Sequence, residues 1–215
     1  MRILLFGATG LAGGGVLRAC LAAPDVTEVR AIVRRSTGVR DPKLREIIHD
    51  NYLDYSAIAG EFAGIDACFF CLGISVSQVP QEAAYRRIHY DFPMAAATLL
   101  RERSPSAVFH YISGGSTRLD SYWMWARVKA EAERDLIEKF GALCWRPAMI
   151  GGVPSAGTKQ PLYLTILRPF ATLLFKPIKR AYIESEDIGR AMINATKQGL
   201  RSRIFENPEM RDLAI

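Results

Sequence analysis

The amino terminus carries the feature that most constrains the fold, a glycine-rich segment between an apolar run and a helical pattern. Residues 3–6 lead into Gly7-Ala8-Thr9-Gly10-Leu11-Ala12-Gly13, which has the spacing G-x-x-G-x-x-G. In such a strand–turn–helix unit the first glycine permits a tight turn, the second lets the backbone approach a diphosphate, and the third allows close helix packing. The N–H groups that open the helix attract the anion. This glycine turn (residues 7–13) therefore predicts a dinucleotide site formed by Gly7, Thr9, Gly10, Leu11, Ala12 and Gly13.

Short apolar runs then alternate with helical segments, which favours a parallel sheet covered by helices on both faces. The predicted strands are residues 3–6, 28–33, 46–49, 67–72, 108–112, 143–146 and 182–183. The predicted helices are residues 12–22, 81–103 (with a kink at Pro93), 122–140, 162–175 and 186–198. The expected fold class is α/β, a Rossmann-type doubly wound parallel sheet with a small C-terminal substrate-side cap.

Length and composition predict one domain and exclude several classes of protein. A chain of 215 residues that is 49% hydrophobic forms a core of its own and is not disordered. We expect a single NAD(P)-binding domain over residues 1–215, with the cap mainly in 151–215. The net charge of +6 is scattered along the chain, so no nucleic-acid partner is expected.

The most apolar later stretch, residues 162–175, is interrupted by Arg168-Pro169 and is too short to span a bilayer. No transmembrane segment is therefore expected. A lid over an apolar substrate, a surface helix that touches a membrane, and a helix packed into its own domain are the three interpretations that the sequence leaves open.

The cysteines and histidines do not predict a metal site. Cys68 and Cys71 are three residues apart on a predicted strand, so their side chains point to opposite faces. We interpret them as core residues, and reduced thiols favour a cytoplasmic protein. His49, His89 and His110 fall on separate elements and are interpreted as structural or surface residues.

The end of the second predicted strand indicates which dinucleotide binds. NAD sites place an acidic residue about 20 residues after the glycines, whereas an arginine there accommodates a 2′-phosphate. Here the chain reads Val33-Arg34-Arg35-Ser36-Thr37, without a carboxylate. Because guanidinium groups suit a dianionic phosphate, Arg34 and Arg35 predict NADP(H) in preference to NAD(H).

With these motifs the chain resembles an atypical short-chain dehydrogenase/reductase of the NAD(P)-binding, NmrA-like group. It is most similar to the branch of Tat-interacting-protein oxidoreductases. Beyond the glycine turn, the resemblance rests on 33–35, 68–73, 111–113, 128–133, 145–151 and 187–192. It implies an NADP-dependent oxidoreductase fold. It further implies that Asp50 lies near the adenine, Leu72 and Gly73 beside its ribose, and Pro147, Ala148 and Met149 along the nicotinamide.

The catalytic positions depart from that family. Members carry Tyr-x-x-x-Lys on the helix after the fifth strand, where the tyrosine exchanges the carbonyl proton and the lysine binds ribose. Here the lysine is Lys129, but Trp125 stands four residues before it, and an indole cannot exchange a proton as a phenol does. Tyr122 lies two helical turns before Lys129, a rise of about 10 Å. Gly114 replaces the second of the two serines usual in the family, which leaves Ser113 or Ser116.

Two functions remain open on this basis. The first is an NADP(H)-dependent oxidoreductase of an unknown small carbonyl or alcohol substrate, with catalysis weakened by Trp125. In it, Lys129 holds the nicotinamide ribose, Ser113 polarises the substrate oxygen, and Tyr122 or water donates the proton. The alternative is a non-enzymatic protein that senses NADP(H) and passes its redox state to a partner. A monomer or a homodimer is expected for either.

Overall fold

The computed structural model of the protein describes residues 1–152, 178 and 180–215. The strands are β1 Arg2–Phe6, β2 Glu28–Val33, β3 Leu44–Ile48, β4 Ala67–Phe70, β5 Val108–Ile112, β6 Leu143–Arg146, β7 Met149–Gly151, β8 Tyr182–Glu184 and β9 Arg203–Glu206. The helices are α1 Leu11–Ala22, α2 Glu82–Arg86, α3 Phe92–Arg103, α4 Met124–Phe140, α5 Ser185–Lys197 and α6 Asn207–Leu213. A 3-10 helix covers Ser56–Phe62, and a π-helical turn covers Arg87–Asp91.

Seven parallel strands form the central sheet in the order β3-β2-β1-β4-β5-β6-β9. The chain winds from β1 toward β3 on one side and from β4 toward β9 on the other. The boundary between β1 and β4 is therefore the point at which the strand order reverses, where ligands bind in open α/β sheets. The predicted Rossmann-type fold is confirmed.

Apolar side chains on both sheet faces explain why β1 and β4 are central. Residues 3–6 of β1 and 67–70 of β4 are fully buried, as expected for parallel strands covered by helices on both faces. One core cluster includes Leu5 and Phe69, and the other includes Leu4 and Phe70. This packing fixes the carboxyl ends of both strands beneath the glycine turn.

Two glycine contacts hold α1 against α5. A Cβ atom on Gly15 would overlap the side chain of Ser185, and one on Gly189 would lie 2.6 Å from the Cβ of Ala19. The two helices therefore approach backbone to backbone. This contact fixes the direction of α1 and thus the position of its amino terminus.

The predicted helix over 81–103 is interrupted, although the break precedes Pro93. In the π-helical turn, the Phe92 N–H bonds the carbonyl oxygen of Arg87. Pro93 has no N–H to offer the carbonyl oxygen of His89, because the proline ring replaces the donor. The buried Tyr111 hydroxyl donates to that oxygen at 2.9 Å instead.

The carboxy-terminal part differs most from the sequence prediction. The strands β7 and β9 were not predicted, and β8 pairs with β7 in a separate two-stranded sheet. Within the expected cap, β9 joins the central sheet and α5 covers α1, so much of its described part belongs to the main fold. The predicted helix 162–175 lies outside the described residues, and the cap itself stays a prediction.

Candidate dinucleotide site and catalytic residues

The glycine turn has a backbone geometry that side chains would prevent. Gly7 has φ +79°, and a Cβ atom on it would lie 2.6 Å from the carbonyl oxygen of Cys71. A Cβ on Gly13 would overlap the carbonyl oxygen of Gly7. The Gly10 N–H bonds that same oxygen at 2.9 Å, which closes the turn. Only glycine fits at positions 7 and 13.

The amino terminus of α1 opens at this turn. Gly10 is the N-cap residue and offers no side chain, and the first helical turn contains no acidic residue. The N–H groups of that turn therefore lack the usual side-chain cap, and the helix dipole places partial positive charge there. An anionic group such as a diphosphate suits this position, and the diphosphate site itself stays a prediction.

A cleft of about 730 Å³ lies over the carboxyl ends of β1, β2 and β4. It is lined by Gly7, Ala8, Thr9, Gly10, Ile32, Val33, Arg34, Arg35, Tyr52, Cys71, Leu72, Gly73, Ile74 and Gln78. Leu11, Ala12 and Gly13 continue into α1 beneath it. The glycine turn, the two arginines and the Leu72-Gly73 pair, which are distant in sequence, thus border one space.

A carboxylate, that of Glu46, lies near the side of the cleft formed by Arg34 and Arg35, but it already accepts hydrogen bonds from Thr37. Arg34 and Arg35 are exposed directly after β2. Glu46 on β3 accepts hydrogen bonds from the N–H (2.7 Å) and the hydroxyl of Thr37. Burial opposes ionisation of Glu46, yet hydrogen bonds from Ser36 and Thr37 hold its pKa below the ordinary value. Glu46 therefore stays ionised and bound to the loop that follows the arginines.

Tyr52, rather than Asp50, lines the cleft beyond β3. Asp50 is exposed and does not border the cavity, whereas Tyr52 is buried. The pKa of Tyr52 is raised, mainly because the phenol is buried. The positive charge of Arg34 acts against this rise, and the negative charge of Asp50 adds to it. Sequence reasoning missed Tyr52, Ile74 and Gln78, although each follows the carboxyl end of a strand that was predicted.

The β5 edge (residues 113–116 with Lys129 of α4) lies beside this cleft. The ammonium of Lys129 donates to the carbonyl oxygen of Ser113 at 2.6 Å. Burial lowers the pKa of Lys129 to about 8, against the opposing effect of the Glu133 carboxylate. A Cβ atom on Gly114 would come within 3.4 Å of the lysine nitrogen, so Lys129 lies directly under this loop.

Ser113 does not direct its hydroxyl as expected for a group that polarises a substrate. The hydroxyl donates to the buried carboxylate of Glu133, and the serine is only 4% exposed. Arg146 binds that carboxylate through both its Nε (2.9 Å) and its Nη2 (2.6 Å). Because the serine proton is committed to Glu133, this orientation conflicts with the role predicted for Ser113.

Tyr122 also lies away from Lys129. It precedes α4, is 89% exposed and contacts the ring of Trp123 edge-on. Trp125 occupies the first turn of α4, one turn before Lys129. This placement does not fit Tyr122 as the proton donor, because its phenol faces solvent. Ser116 is exposed, with φ +64°.

The segment 147–149 borders the β5 edge on its other side. The Gly115 N–H bonds the carbonyl oxygen of Pro147 at 2.9 Å, and the Ala148 N–H bonds the Asn207 side chain at 3.0 Å. Pro147 is buried, whereas Ala148 and Met149 are exposed. These three residues thus lie beside the loop that covers Lys129.

The described part of the chain contains neither a cluster of metal ligands nor a membrane-spanning helix. Its histidine, cysteine, aspartate and glutamate side chains form no group of three or more that could hold a metal ion. None of its helices is both long and apolar enough to cross a membrane.

Sequence relatives of this chain carry mitochondrial names. No family model matches the chain. "Protein fmp52-1, mitochondrial" of Aspergillus oryzae is 24% identical over 209 residues, which are 93% of this chain and 88% of the relative. "Protein FMP52, mitochondrial" of Saccharomyces cerevisiae is 27% identical over 138 residues, 64% of this chain and 59% of the relative. The expectation of a cytoplasmic protein is therefore wrong, because these names point to mitochondria.

Solved structures share the fold of this chain. The dTDP-glucose 4,6-dehydratase DesIV from Streptomyces venezuelae, a double mutant with NAD and DAU bound, superposes with a TM-score of 0.71. The alignment covers 100% of this chain and 79% of that one, at 18% identity. At this identity the likeness shows the fold alone, and it supports no particular NmrA-like branch. The chain thus shares the Rossmann-type fold of a protein whose structure was solved with NAD bound.

Proposed function

We propose that the protein is an NADP(H)-dependent oxidoreductase of the short-chain dehydrogenase/reductase type, similar to the NmrA-like group, with a small carbonyl or alcohol substrate. The observation that carries this proposal is the cleft in which the glycine turn, Arg34 and Arg35 border one space of about 730 Å³. A diphosphate at the amino terminus of α1 and a 2′-phosphate at the arginines fit its charge.

The residues present fit the cofactor, because the amino terminus of α1 carries neither a side-chain cap nor an acidic residue at the glycine turn, and two arginines line the same cleft. Gly7, Thr9, Gly10, Leu11, Ala12 and Gly13 would hold the diphosphate, and Arg34 with Arg35 the 2′-phosphate. Leu72 and Gly73 would lie against the ribose of the adenine half, with Tyr52 and Asp50 farther along. Pro147, Ala148 and Met149 would border the nicotinamide. When bound, NADPH supplies a hydride to a carbonyl carbon.

Reduction of a carbonyl also needs a proton at the oxygen, and Lys129 is the group best placed to hold it. Its ammonium lies at the β5 edge, and burial brings its pKa to about 8. At pH 7 it is mostly protonated, yet it loses the proton more easily than an exposed lysine. We therefore assign Lys129 the proton as well as contact with ribose, in place of Tyr122.

Turnover of NADPH against a panel of small carbonyl compounds tests this function. Lys129→Met keeps the length of the side chain and removes the ammonium, so we expect turnover to fall by about 10²–10⁴-fold. Lys139→Met, at the exposed end of the same helix, is the matched control and should act like the native protein. Equal turnover by Lys129→Met and the native protein would contradict the assignment.

The second candidate function, a non-enzymatic sensor of NADP(H), is favoured by the state of the usual catalytic positions. Trp125 replaces the tyrosine, Tyr122 faces solvent, and the Ser113 hydroxyl binds Glu133. Firm NADPH binding without Lys129-dependent turnover would support the sensor. Activity that appears only in Trp125→Tyr would show that the natural chain has lost its proton donor.

Location and assembly belong to the same proposal. The mitochondrial relatives support a mitochondrial location for this chain, which fractionation of cells that express it would check. We expect a monomer or a homodimer, measured by light scattering, and no nucleic-acid partner.

A further inference from the structure

Tyr52 is a buried tyrosine whose hydroxyl has no partner among the described residues. The residue follows β3 and is only 5% exposed. None of the hydrogen bonds within the described part of the chain involves its Oη atom. Because the hydroxyl of a buried tyrosine usually finds a hydrogen-bond partner, an unpaired one requires an explanation.

The neighbouring Tyr55 shows what distinguishes this hydroxyl. The two rings lie 6.4 Å apart, and Tyr55 is also buried without a partner for its hydroxyl among the described residues. The Oη atom of Tyr55, however, is fully enclosed and does not border the cleft, whereas Tyr52 lines the cleft and its Oη atom is not enclosed. The small accessible part of Tyr52, which includes the hydroxyl, therefore opens into the ligand space.

Aromatic packing holds the Tyr52 ring in place. Its centroid lies 5.4 Å from that of Phe92 at the start of α3 and 6.2 Å from that of Phe6 at the end of β1. The ring is thus fixed from two elements before a ligand arrives. A ligand that bonds the hydroxyl does not have to order this side chain, which lowers the entropic cost of binding.

The wall of the cleft to which Tyr52 belongs is apolar. Ile32 lies in the same core cluster as Tyr52, Leu72 packs against that cluster, and all three residues line the cleft. An apolar wall with a single polar group suits a planar heteroaromatic ring, whose face is apolar and whose edge forms hydrogen bonds. A phosphate fits such a wall poorly, because its charged oxygens would lose water without gaining enough partners.

The strand order indicates which ring reaches this wall. The glycine turn follows β1, Arg34 follows β2 and Tyr52 follows β3, and these three strands are neighbours in the sheet. A cofactor with its diphosphate at β1 and its 2′-phosphate at β2 therefore has its adenosine half on this side of the cleft. The positive charge of Arg34 also reaches the phenol, where it acts to lower the pKa of Tyr52. Because adenine joins its ribose through the five-membered ring, the edge that extends farthest from the ribose carries N1 and the N6 amino group.

We propose that Tyr52 recognises the base of the cofactor, and that its hydroxyl forms a hydrogen bond with the N1 and N6 edge of adenine. The inference rests on the proposed binding of NADP(H) and assigns a residue that neither the motifs nor the resemblance named. The resemblance implies Asp50 near the adenine, but Asp50 is exposed and does not border the cleft. A tyrosine that serves only the core, as Tyr55 does, is the competing explanation.

Two phenylalanine substitutions separate these explanations. Tyr52→Phe removes the hydroxyl that opens into the cleft and keeps the ring that packs on Phe6 and Phe92. Tyr55→Phe removes an enclosed hydroxyl from the same aromatic cluster and is the matched control.

Calorimetric titration with NADPH and with NADH gives the test, because both carry adenine and only NADPH carries the 2′-phosphate. We expect Tyr52→Phe to bind each dinucleotide about three- to tenfold more weakly than the native protein, in line with one lost hydrogen bond. We expect Tyr55→Phe to bind both like the native protein. Native-like binding by Tyr52→Phe would overturn the inference. A loss confined to NADPH would also overturn it, because the hydroxyl would then contact the 2′-phosphate.

A measurement on the native protein distinguishes the base from the ribose and does not depend on a variant. In NMR spectra of the complex of tyrosine-labelled protein with NADP⁺, the adenine H2 proton, which lies next to N1, should show a nuclear Overhauser effect to the ring protons of Tyr52. Effects from ribose protons alone, or none at saturating NADP⁺, would reject the role of Tyr52. A native chain that binds none of these dinucleotides would instead reject the proposed function, and this inference with it.

Discussion

The glycine turn and the β5 edge follow neighbouring parts of the same sheet, yet they are built differently. The glycine turn depends on backbone conformation, since φ at Gly7 and the close contact under Gly13 leave no room for side chains. The β5 edge depends on where side chains point, with the Ser113 hydroxyl on Glu133 and Tyr122 in solvent. A site formed by backbone atoms is determined by the local sequence, whereas a site formed by side chains also depends on contacts from distant elements.

A substitution in the glycine turn should have the largest effect on cofactor affinity. In Gly7→Ala the new Cβ lies 2.6 Å from the Cys71 carbonyl oxygen, so the backbone has to move away from φ +79°. We expect NADPH affinity to fall about hundredfold and stability to fall by about 2–4 kcal/mol. Titration calorimetry and urea unfolding measure the two effects.

Gly38→Ala is the matched control for that experiment. Gly38 has φ +76°, nearly the value at Gly7, but nothing lies within 4 Å of its Cβ position. Gly38→Ala should therefore lower the free energy of unfolding by only about 1 kcal/mol, the cost of the left-handed backbone conformation for alanine, and should leave the affinity for NADPH unchanged. If both variants bind NADPH equally well, the close contact with Cys71 does not shape the site.

The second prediction concerns the carboxylate that organises the β5 edge. Glu133 is 2% exposed and joins Ser113 to Arg146, so Glu133→Gln leaves a partly buried guanidinium without its buried charged partner. We expect a loss of about 3–5 kcal/mol in the free energy of unfolding, measured by urea denaturation.

Glu206 provides the comparison, because it binds the same arginine at 3.2 Å but its side chain is 53% exposed. Glu206→Gln should cost only about 0–1 kcal/mol. Equal losses of unfolding free energy in the two variants would mean that the burial of Glu133 does not strengthen its contribution to stability.

The fold was predictable because its signals are local. Alternating apolar and helical segments gave the positions of β2, β5 and β6, and the glycine spacing gave the turn into α1. The strands β7 and β9 carry no such signal. β7 has only three residues, and β9 begins and ends with a charged residue and pairs only at the edge of the sheet.

The candidate site was predictable only where backbone or strand ends define it. Arg34 and Gly73 border the cleft as expected, because carboxyl ends of parallel strands meet at one edge. The inward turn of Ser113 depends on Glu133, twenty residues later on another element, and sequence spacing does not report it. His89, interpreted from the sequence as structural or surface, is buried on the π-helical turn, and its unpaired nitrogen is visible only in three dimensions.

The third prediction tests whether the β2 side of the cleft binds a 2′-phosphate. Arg34→Ala should weaken NADPH binding about ten- to hundredfold and leave NADH binding unchanged, because only NADPH carries the 2′-phosphate. Arg40→Ala, an exposed arginine in the following loop, should leave the ratio of the two affinities as it is. An unchanged ratio in Arg34→Ala would refute the 2′-phosphate assignment. Affinities are measured by fluorescence titration at one salt concentration.

The last prediction concerns pH and compares two buried histidines, His89 on the π-helical turn and His110 on β5. Burial is the main cause that lowers the pKa of both His89 and His110 from 6.5 to about 3. Below pH 6.5 the unfolded chain therefore binds protons that the folded chain excludes. Their contribution to stability is complete above pH 6.5 and is lost as the pH falls toward 3, by about 1.4 kcal/mol per pH unit for each histidine.

His89→Asn removes one of these two groups. The free energy of unfolding of this variant should therefore fall less steeply between pH 6 and 4 than that of the native protein, by about 1.4 kcal/mol per pH unit. Urea unfolding at several pH values measures the two slopes. Identical slopes for the variant and the native chain would contradict the assignment of a low pKa to the buried ring of His89.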